Sequence, residues 1–405
     1  MLSLLLACAP PSTVLPPGDL GQALVKGPKV LWEAQVGRMT WRSRMVQDGA
    51  VLLVPSNGDE WGTGPDARDG LWVLDGRKGS TELHLLVPET TPARERDVNG
   101  VLVTEAGWTV STDQNGLLQW SRQGALNWHV EMGGDIEFPP SVWRSPEGLR
   151  VVGAVERASQ LVTVDPETGE SATLRVPNGF EKAFSQVAAG DLNGDGVQDL
   201  VIAGRHSHQL IALDGQSQRA LWQHEGHIYQ ASPQIVDVDG DGAPEVISAF
   251  ADTVLISEGA TGKPKLVYKT PGARYATVHA FTWWPQAQCL IIPRSRVDAS
   301  VSCVSLEGEL IWSLPILSQR ISAAPTLADV DGDGTNEAIV ATEGGRVLAV
   351  NAQGELLWAW TAPDAIEAPV FAGDLRGDGR TTLVVASHDG WVRALKTPGV
   401  AGGVQ

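Results

Sequence analysis

Basic residues are scarce in this chain, cysteine is nearly absent, and long helical or membrane-length apolar stretches are missing. Thirty Lys and Arg stand against 48 Asp and Glu, a formal net charge of −18, so nucleic acid is excluded as a partner because its phosphates demand a basic footprint. Only Cys8, Cys289 and Cys303 occur in 405 residues. Apart from the N-terminus, no stretch approaches the ~20 apolar residues of a membrane span. No long segment sustains a helical period, while 45 Gly and 25 Pro supply turns between runs of Val, Leu and Ile. This composition predicts an all-β protein.

What is present is a repeated acidic loop. Asp191-Leu-Asn-Gly-Asp-Gly-Val-Gln-Asp199 recurs as Asp237-Val-Asp-Gly-Asp-Gly-Ala-Pro-Glu245 and as Asp329-Val-Asp-Gly-Asp-Gly-Thr-Asn-Glu337. Oxygen side chains at positions one, three, five and nine, with a backbone carbonyl at position seven, suit a hard cation that takes six to eight oxygens. The expected calcium ligands are therefore Asp191, Asn193, Asp195, Val197 and Asp199; Asp237, Asp239, Asp241, Ala243 and Glu245; and Asp329, Asp331, Asp333, Thr335 and Glu337. About three ions are expected. An EF-hand would need Glu at the twelfth position, where Ile202, Ser248 and Val340 stand inside strand-like runs, so these are strand-loop-strand sites.

The loops also measure a period. Asp191, Asp237 and Asp329 lie 46 and 92 residues apart, and the related Asp374 follows 45 later, a spacing that signals a propeller or solenoid. Apolar strands ending at Asp75, Ser121, Asp165, Asp214, Glu258, Ser305, Asn351 and Lys396 confirm it, with steps of 46, 44, 49, 44, 47, 46 and 45. That makes eight units. The segment from Ala323 to Trp360 reads as four antiparallel strands with short hairpins, one propeller blade. The eighth unit lacks a fourth strand, whereas Lys29-Val-Leu-Trp-Glu-Ala-Gln-Val36 copies the fourth-strand pattern. The expected fold is an eight-bladed β-propeller of four-stranded antiparallel blades, its ring closed by the N-terminal strand, over residues 28–397. Residues 398–405 form a flexible tail.

Trp32, Trp128, Trp222, Trp312 and Trp358 recur at the fourth-strand position, which points to packing between blades. Trp61 and the pair Trp283-Trp284 break the register and are the better ligand candidates. Cys289 and Cys303 share the sixth unit; aligning it on its neighbours places Cys303 opposite Arg294, too far from Cys289 to bridge, and buried thiols are expected.

Met1 to Cys8 resembles the end of a bacterial lipoprotein signal, with Leu5-Leu-Ala-Cys8 as lipobox and Cys8 as the lipidated residue; residues 9–27 then read as a Pro/Gly-rich linker. Ala9 after the cysteine resembles an outer-membrane address. The acidic loops, each followed by a run such as Leu200-Val-Ile-Ala-Gly204, resemble the FG-GAP/VCBS repeat family, which includes the integrin α-chain propeller, strongly over residues 185–390. The Trp-ended strands are also similar to quinoprotein-like repeats, found in eight-bladed lipoproteins that scaffold outer-membrane assembly. The loop from Asp374 departs from the pattern: Arg376 puts a cation at an oxygen position and Thr382 removes the closing carboxylate.

No catalytic constellation is legible. His206, His208, His224 and His227 lack a third ligand in register, and the adjacent cysteines expected of a quinone dehydrogenase are missing. The resemblances imply a calcium-stabilised protein of the bacterial cell envelope, an outer-membrane lipoprotein or a secreted protein, that binds protein or glycan partners at a propeller face, acts as a monomer and meets the membrane only through its lipid anchor. The alternative is a carbohydrate-active, polysaccharide lyase-like enzyme, for which Arg42, Arg44, Arg94 and Arg96 would converge near Trp61.

Overall fold

The computed structural model describes residues 27–398 except 60–64, 90–95, 114–115, 133, 157–158, 178–182, 184, 205–206, 227–230, 271–277, 279, 295–298, 317–319. The signal segment with Cys8, nearly all of the linker and the C-terminal tail, as well as Trp61, Arg94, His206 and His227, lie outside the described residues. Within them the chain forms eight four-stranded antiparallel sheets, and the only helical element described is a 3-10 turn at Pro285–Ala287. It is an eight-bladed β-propeller.

Blades 1 to 7 run outward in chain order. Blade 7, for example, consists of Thr326–Ala328, Glu337–Ala341, Arg346–Val350 and Leu356–Thr361. Blade 8 takes Phe371–Gly373, Thr382–Ser387 and Trp391–Lys396 from the end of the chain and Lys29–Gln35 from its start. The closing pair is antiparallel, Lys29 opposite Lys396 and Gln35 opposite Trp391. Completing the blade in this way removes an unpaired edge that would otherwise accept another chain.

Packing follows from the two-residue period of a strand. Leu52 and Leu53 are both fully buried, but Leu52 packs towards blade 8 and Leu53 towards blade 2. The buried apolar residues accordingly fall into eight clusters, each shared by two neighbouring blades. No blade has a core of its own. Covering both faces of every sheet requires a neighbour on each side, which the closed ring provides.

The recurring tryptophans join those clusters. The indole N–H of Trp32, Trp128, Trp222 and Trp312 donates to the carbonyl of Gly76, Pro166, Gly259 and Ala352 at 3.0, 3.0, 2.7 and 2.9 Å, each in the turn between the third and fourth strands of the next blade. A glycine with positive φ lies against each ring; a Cβ on Gly262 would stand 2.7 Å from Trp222. Trp358 is more deeply buried, yet its N–H has no partner among the described residues. Blade 8 takes its fourth strand from the other end of the chain and so has no such turn to offer.

Two expectations for blade 6 are corrected. Cys289 and Cys303 form a disulfide with Cα atoms 5.7 Å apart. Cys303 faces Ile291 and Cys289 faces Ser305, three positions from the register that alignment on the other units suggests, because the 3-10 turn and left-handed Gln288 set where the second strand begins. The cysteines are thus diagonal neighbours within bridging reach. Trp283 and Trp284, 6% and 0% exposed, are core residues on opposite faces of one strand, packed towards blades 5 and 7 respectively. They are not available to a ligand.

Candidate metal-binding loops

The three acidic loops each connect the first and second strands of a blade: blade 4 from Gly190 to Asp199, blade 5 from Val236 to Glu245, blade 7 from Ala328 to Glu337. Their turns are built from the same hydrogen bonds. The first aspartate draws in the backbone: Asp191 accepts from Gly194 and Gly196 at 2.8 and 2.9 Å, Asp237 from Gly240 and Gly242 at 2.7 and 3.0 Å, Asp329 from Gly332 and Gly334 at 2.6 and 2.9 Å. Asn193, Asp239 and Asp331 at the third position accept from the fifth-position N–H at 2.9, 3.3 and 3.1 Å. Asp195, Asp241 and Asp333 accept in turn from Val197, Ala243 and Thr335 at 2.8, 2.8 and 2.6 Å. Positive φ at both glycines of each loop, from +76° to +89°, is what bends the chain tightly enough for this.

The ninth residue is buried in all three. Asp199, Glu245 and Glu337 open the second strands and accept from the N–H of Leu192, Val238 and Val330 at 2.9, 3.0 and 3.0 Å. Beyond this shared frame the loops differ. In the first, Asp199 also accepts from Gly215 at 2.8 Å and Asn193 donates to Asp214 at 3.0 Å; no trio of carboxylates meets there among the described residues. The third brings Asp329, Asp331 and Asp333 together, with oxygens within 4.8 Å of one another. Burial pushes Glu337 up to about 7, and the charges of Asp331, Asp333 and Asp329 add to the rise.

The second loop also gathers three carboxylates, Asp237, Asp239 and Glu245, but a cation is already among them. Lys265 Nζ lies 2.5 Å from Glu245 Oε1, 2.8 Å from Asp239 Oδ2 and 3.8 Å from Asp241 Oδ2. The hydrogen bond from Lys265 holds Asp239 below its usual range. In the degenerate loop of blade 8, Asp374 still accepts from Asp378 and Gly379 at 3.1 and 2.8 Å, while Arg376 pairs with Asp378 at 3.2 Å.

Away from the loops, the entry segments of blades 1 and 3 to 8 line a cavity on the ring axis, among them Trp41, Arg42, Arg44, Phe138, Gln186 and Phe281. Arg42 ion-pairs with Glu137 and lies 4.9 Å from the Trp41 ring, which packs edge-on against Phe138. Arg44 is surrounded by protein yet open to the cavity's solvent, and desolvation lowers its pKa. Arg96 is engaged by Glu89 at 2.6 Å. Sequence reasoning singled out Arg42 and Arg44 but missed their surroundings, as it missed Lys265 and an acidic group formed by Asp135, Glu137 and Glu156. None of these has a motif; each depends on segments that only the folded strands, within a blade or around the ring, bring together. His224 bonds to the Gly262 carbonyl at 2.8 Å between Trp222 and Phe250. No histidine joins a group of three potential metal ligands among the described residues.

A family model described as FG-GAP-like repeat matches residues 191–248, from the first loop through the second. Among solved structures, the chain is similar to BamB from Moraxella catarrhalis, 16% identical over 91% of this chain and 99% of that one, with a TM-score of 0.63. It is likewise similar to a quinohemoprotein alcohol dehydrogenase from Comamonas testosteroni, 13% identical over 95% and 78% of the two chains, TM-score 0.68. A europium-containing methanol dehydrogenase gives 12% identity over 89% and 85%, TM-score 0.68. No curated protein sequence matches. At such identities the likeness is one of fold.

Proposed function

We propose that this chain is a calcium-stabilised binding or scaffold propeller of the bacterial cell envelope, lipidated at Cys8, lodged at the outer membrane, and presenting a propeller face to protein or glycan partners. The observation that carries the calcium reading is the third loop. Asp329, Asp331 and Asp333 bring oxygens within 4.8 Å of one another, with no Lys or Arg ion-paired to them among the described residues, beside a buried Glu337 whose proton is held up to about pH 7. Such a donor set is all oxygen and suits a hard divalent ion. Asp329, Asp331, Asp333, Glu337 and the Thr335 carbonyl would hold it. The ion's role would be to cancel carboxylate repulsion and lock the turn joining two strands of a blade.

The Cys289–Cys303 disulfide supports an exported location, since such bonds persist in oxidising compartments. The FG-GAP-like match and the propeller fold support a binding module. Calcium modules of extracellular type bind at roughly 10⁻⁴ to 10⁻³ M, so EDTA is expected to lower the melting temperature and calcium to restore it. If melting is unchanged and metal analysis finds no calcium, the calcium reading is lost. Partners are sought by pull-down from detergent-solubilised envelope. One observation keeps the lyase-like alternative in play, the axial cavity with Trp41, Phe138, Arg42 and Arg44; release of unsaturated sugars from an anionic polysaccharide would establish it.

A further inference from the structure

The fourth strand of most blades carries one bulged residue immediately before the tryptophan position. In blades 4 and 7 it is Leu221 and Leu357, in blades 6 and 8 Ile311 and Leu31. In blade 5 it is Lys265, placed between the pairs Ile256–Leu266 and Ser257–Pro264. A position that is otherwise apolar in the loop-bearing blades therefore carries a cation in one of them. Its ammonium ends among the carboxylates of that same blade's loop.

We propose that Lys265 is a built-in counter-ion: it occupies the centre of the Asp237–Glu245 loop and keeps blade 5 folded without calcium, which binds there only when the lysine is displaced. This rests on the calcium reading above and divides the loops into two kinds. Among the described residues no Lys or Arg is ion-paired with the Asp329–Glu337 loop, whose fourth-strand counterpart of Lys265 is Leu357, and this loop depends on an external cation. In the Asp237–Glu245 loop the ammonium takes Glu245 Oε1 and Asp239 Oδ2, oxygens that calcium would need at 2.3–2.6 Å. Both cations cannot share the site, because like charges at that separation repel strongly. The stem of Lys265 is long enough to swing away, its side chain being 29% exposed already, so calcium would compete with the lysine and bind more weakly.

Calcium titration by calorimetry, on wild type and on Lys265→Leu after both are stripped with chelator, tests this. The variant, which copies the residue of blade 4, is expected to bind one more ion per chain at calcium levels that fill the other loops, and Asp239→Ala in the same background, which removes the oxygen ligand, is expected to abolish the gain. In chelator the variant should melt below wild type, and saturating calcium should raise its midpoint by more. Lys265→Gln provides a second, polar replacement with the same expected gain should the leucine variant fold poorly. Equal stoichiometry with equal affinities in wild type and both variants overturns the proposal. A wild type that already binds three ions, the third as tightly as in the variants, also overturns it while leaving the calcium reading intact. A wild type that binds none beside a variant that binds one supports the counter-ion and sinks the wider calcium reading.

Discussion

Asp69 opens the third strand of blade 1 with its side chain 1% exposed, and burial pushes its carboxyl up to about 6 against the opposing N–H bond from Asp66. A folded-state pKa above the unfolded value of about 3.9 means that the native protein retains a proton which the unfolded chain releases. Stability from this group is complete below that unfolded value and is lost as pH rises through about 6. Asp69→Asn removes the titration. The melting difference between variant and wild type should therefore move in the variant's favour by a few degrees between about pH 4 and 7, and parallel melting curves across that range would contradict the assignment.

Arg376 presents the opposite case, an exposed charge. Its 3.2 Å pair with Asp378 is a surface ion pair, worth at most about 1 kcal/mol. Thr382 is the first residue of its strand, the place held by Asp199, Glu245 and Glu337 in blades 4, 5 and 7. Since Asp374 already gathers the backbone of the turn, Arg376→Asn with Thr382→Asp is expected to add one calcium site. An unchanged calorimetric stoichiometry would show that the loop has lost the ligand geometry as well as the ligands.

At the scale of the element, the unit of cohesion is a fourth strand held to the next blade by its tryptophan. Trp222 and Trp358 make a natural pair for measuring it, because both are buried and only Trp222 has an acceptor for its N–H. Replacing either with Phe removes similar ring volume. Trp222→Phe also leaves the Gly259 carbonyl without its partner, a loss of about 1–3 kcal/mol, whereas Trp358→Phe removes a group that was already unsatisfied. Denaturant unfolding should thus show Trp222→Phe to be the more destabilised by that margin. Equal losses would mean that the hydrogen bond contributes little and that ring packing carries the contact.

At the scale of the whole molecule, eight interblade clusters form one closed cycle, and the strand Lys29–Gln35 is its last link. Deleting residues 28–37 removes Trp32 and the partner of Trp391–Lys396, exposing an edge and opening one cluster. The expected outcome is loss of cooperative unfolding or aggregation at ordinary temperature, whereas deleting 400–405, a short Gly-containing terminal stretch, should leave the midpoint within about 1 °C. Equal tolerance of both deletions would argue against closure by this strand.

The sequence by itself determined the period, the number of blades, the order of strands, the strand that closes the ring and the places of the acidic loops. Each of these is written in local alternation and in spacings along the chain, so Asp191, Asp237 and Asp329 lie on equivalent turns and Trp32, Trp222 and Trp358 on equivalent strands as the repeat requires. Only the tertiary structure decided what depends on register and on neighbours across a blade boundary. Three residues of register separate a pair of thiols from the Cys289–Cys303 bridge, and the same blade turns Trp283 and Trp284 inward although their sequence breaks the pattern. Lys265 stands 20 residues beyond the loop it enters, and the pKa of Glu337 follows from burial that no motif encodes. The physical reason is common to all of them: periodicity specifies which face of a strand a side chain occupies, but the group it meets there is chosen by the hydrogen-bonded register and the adjoining blade.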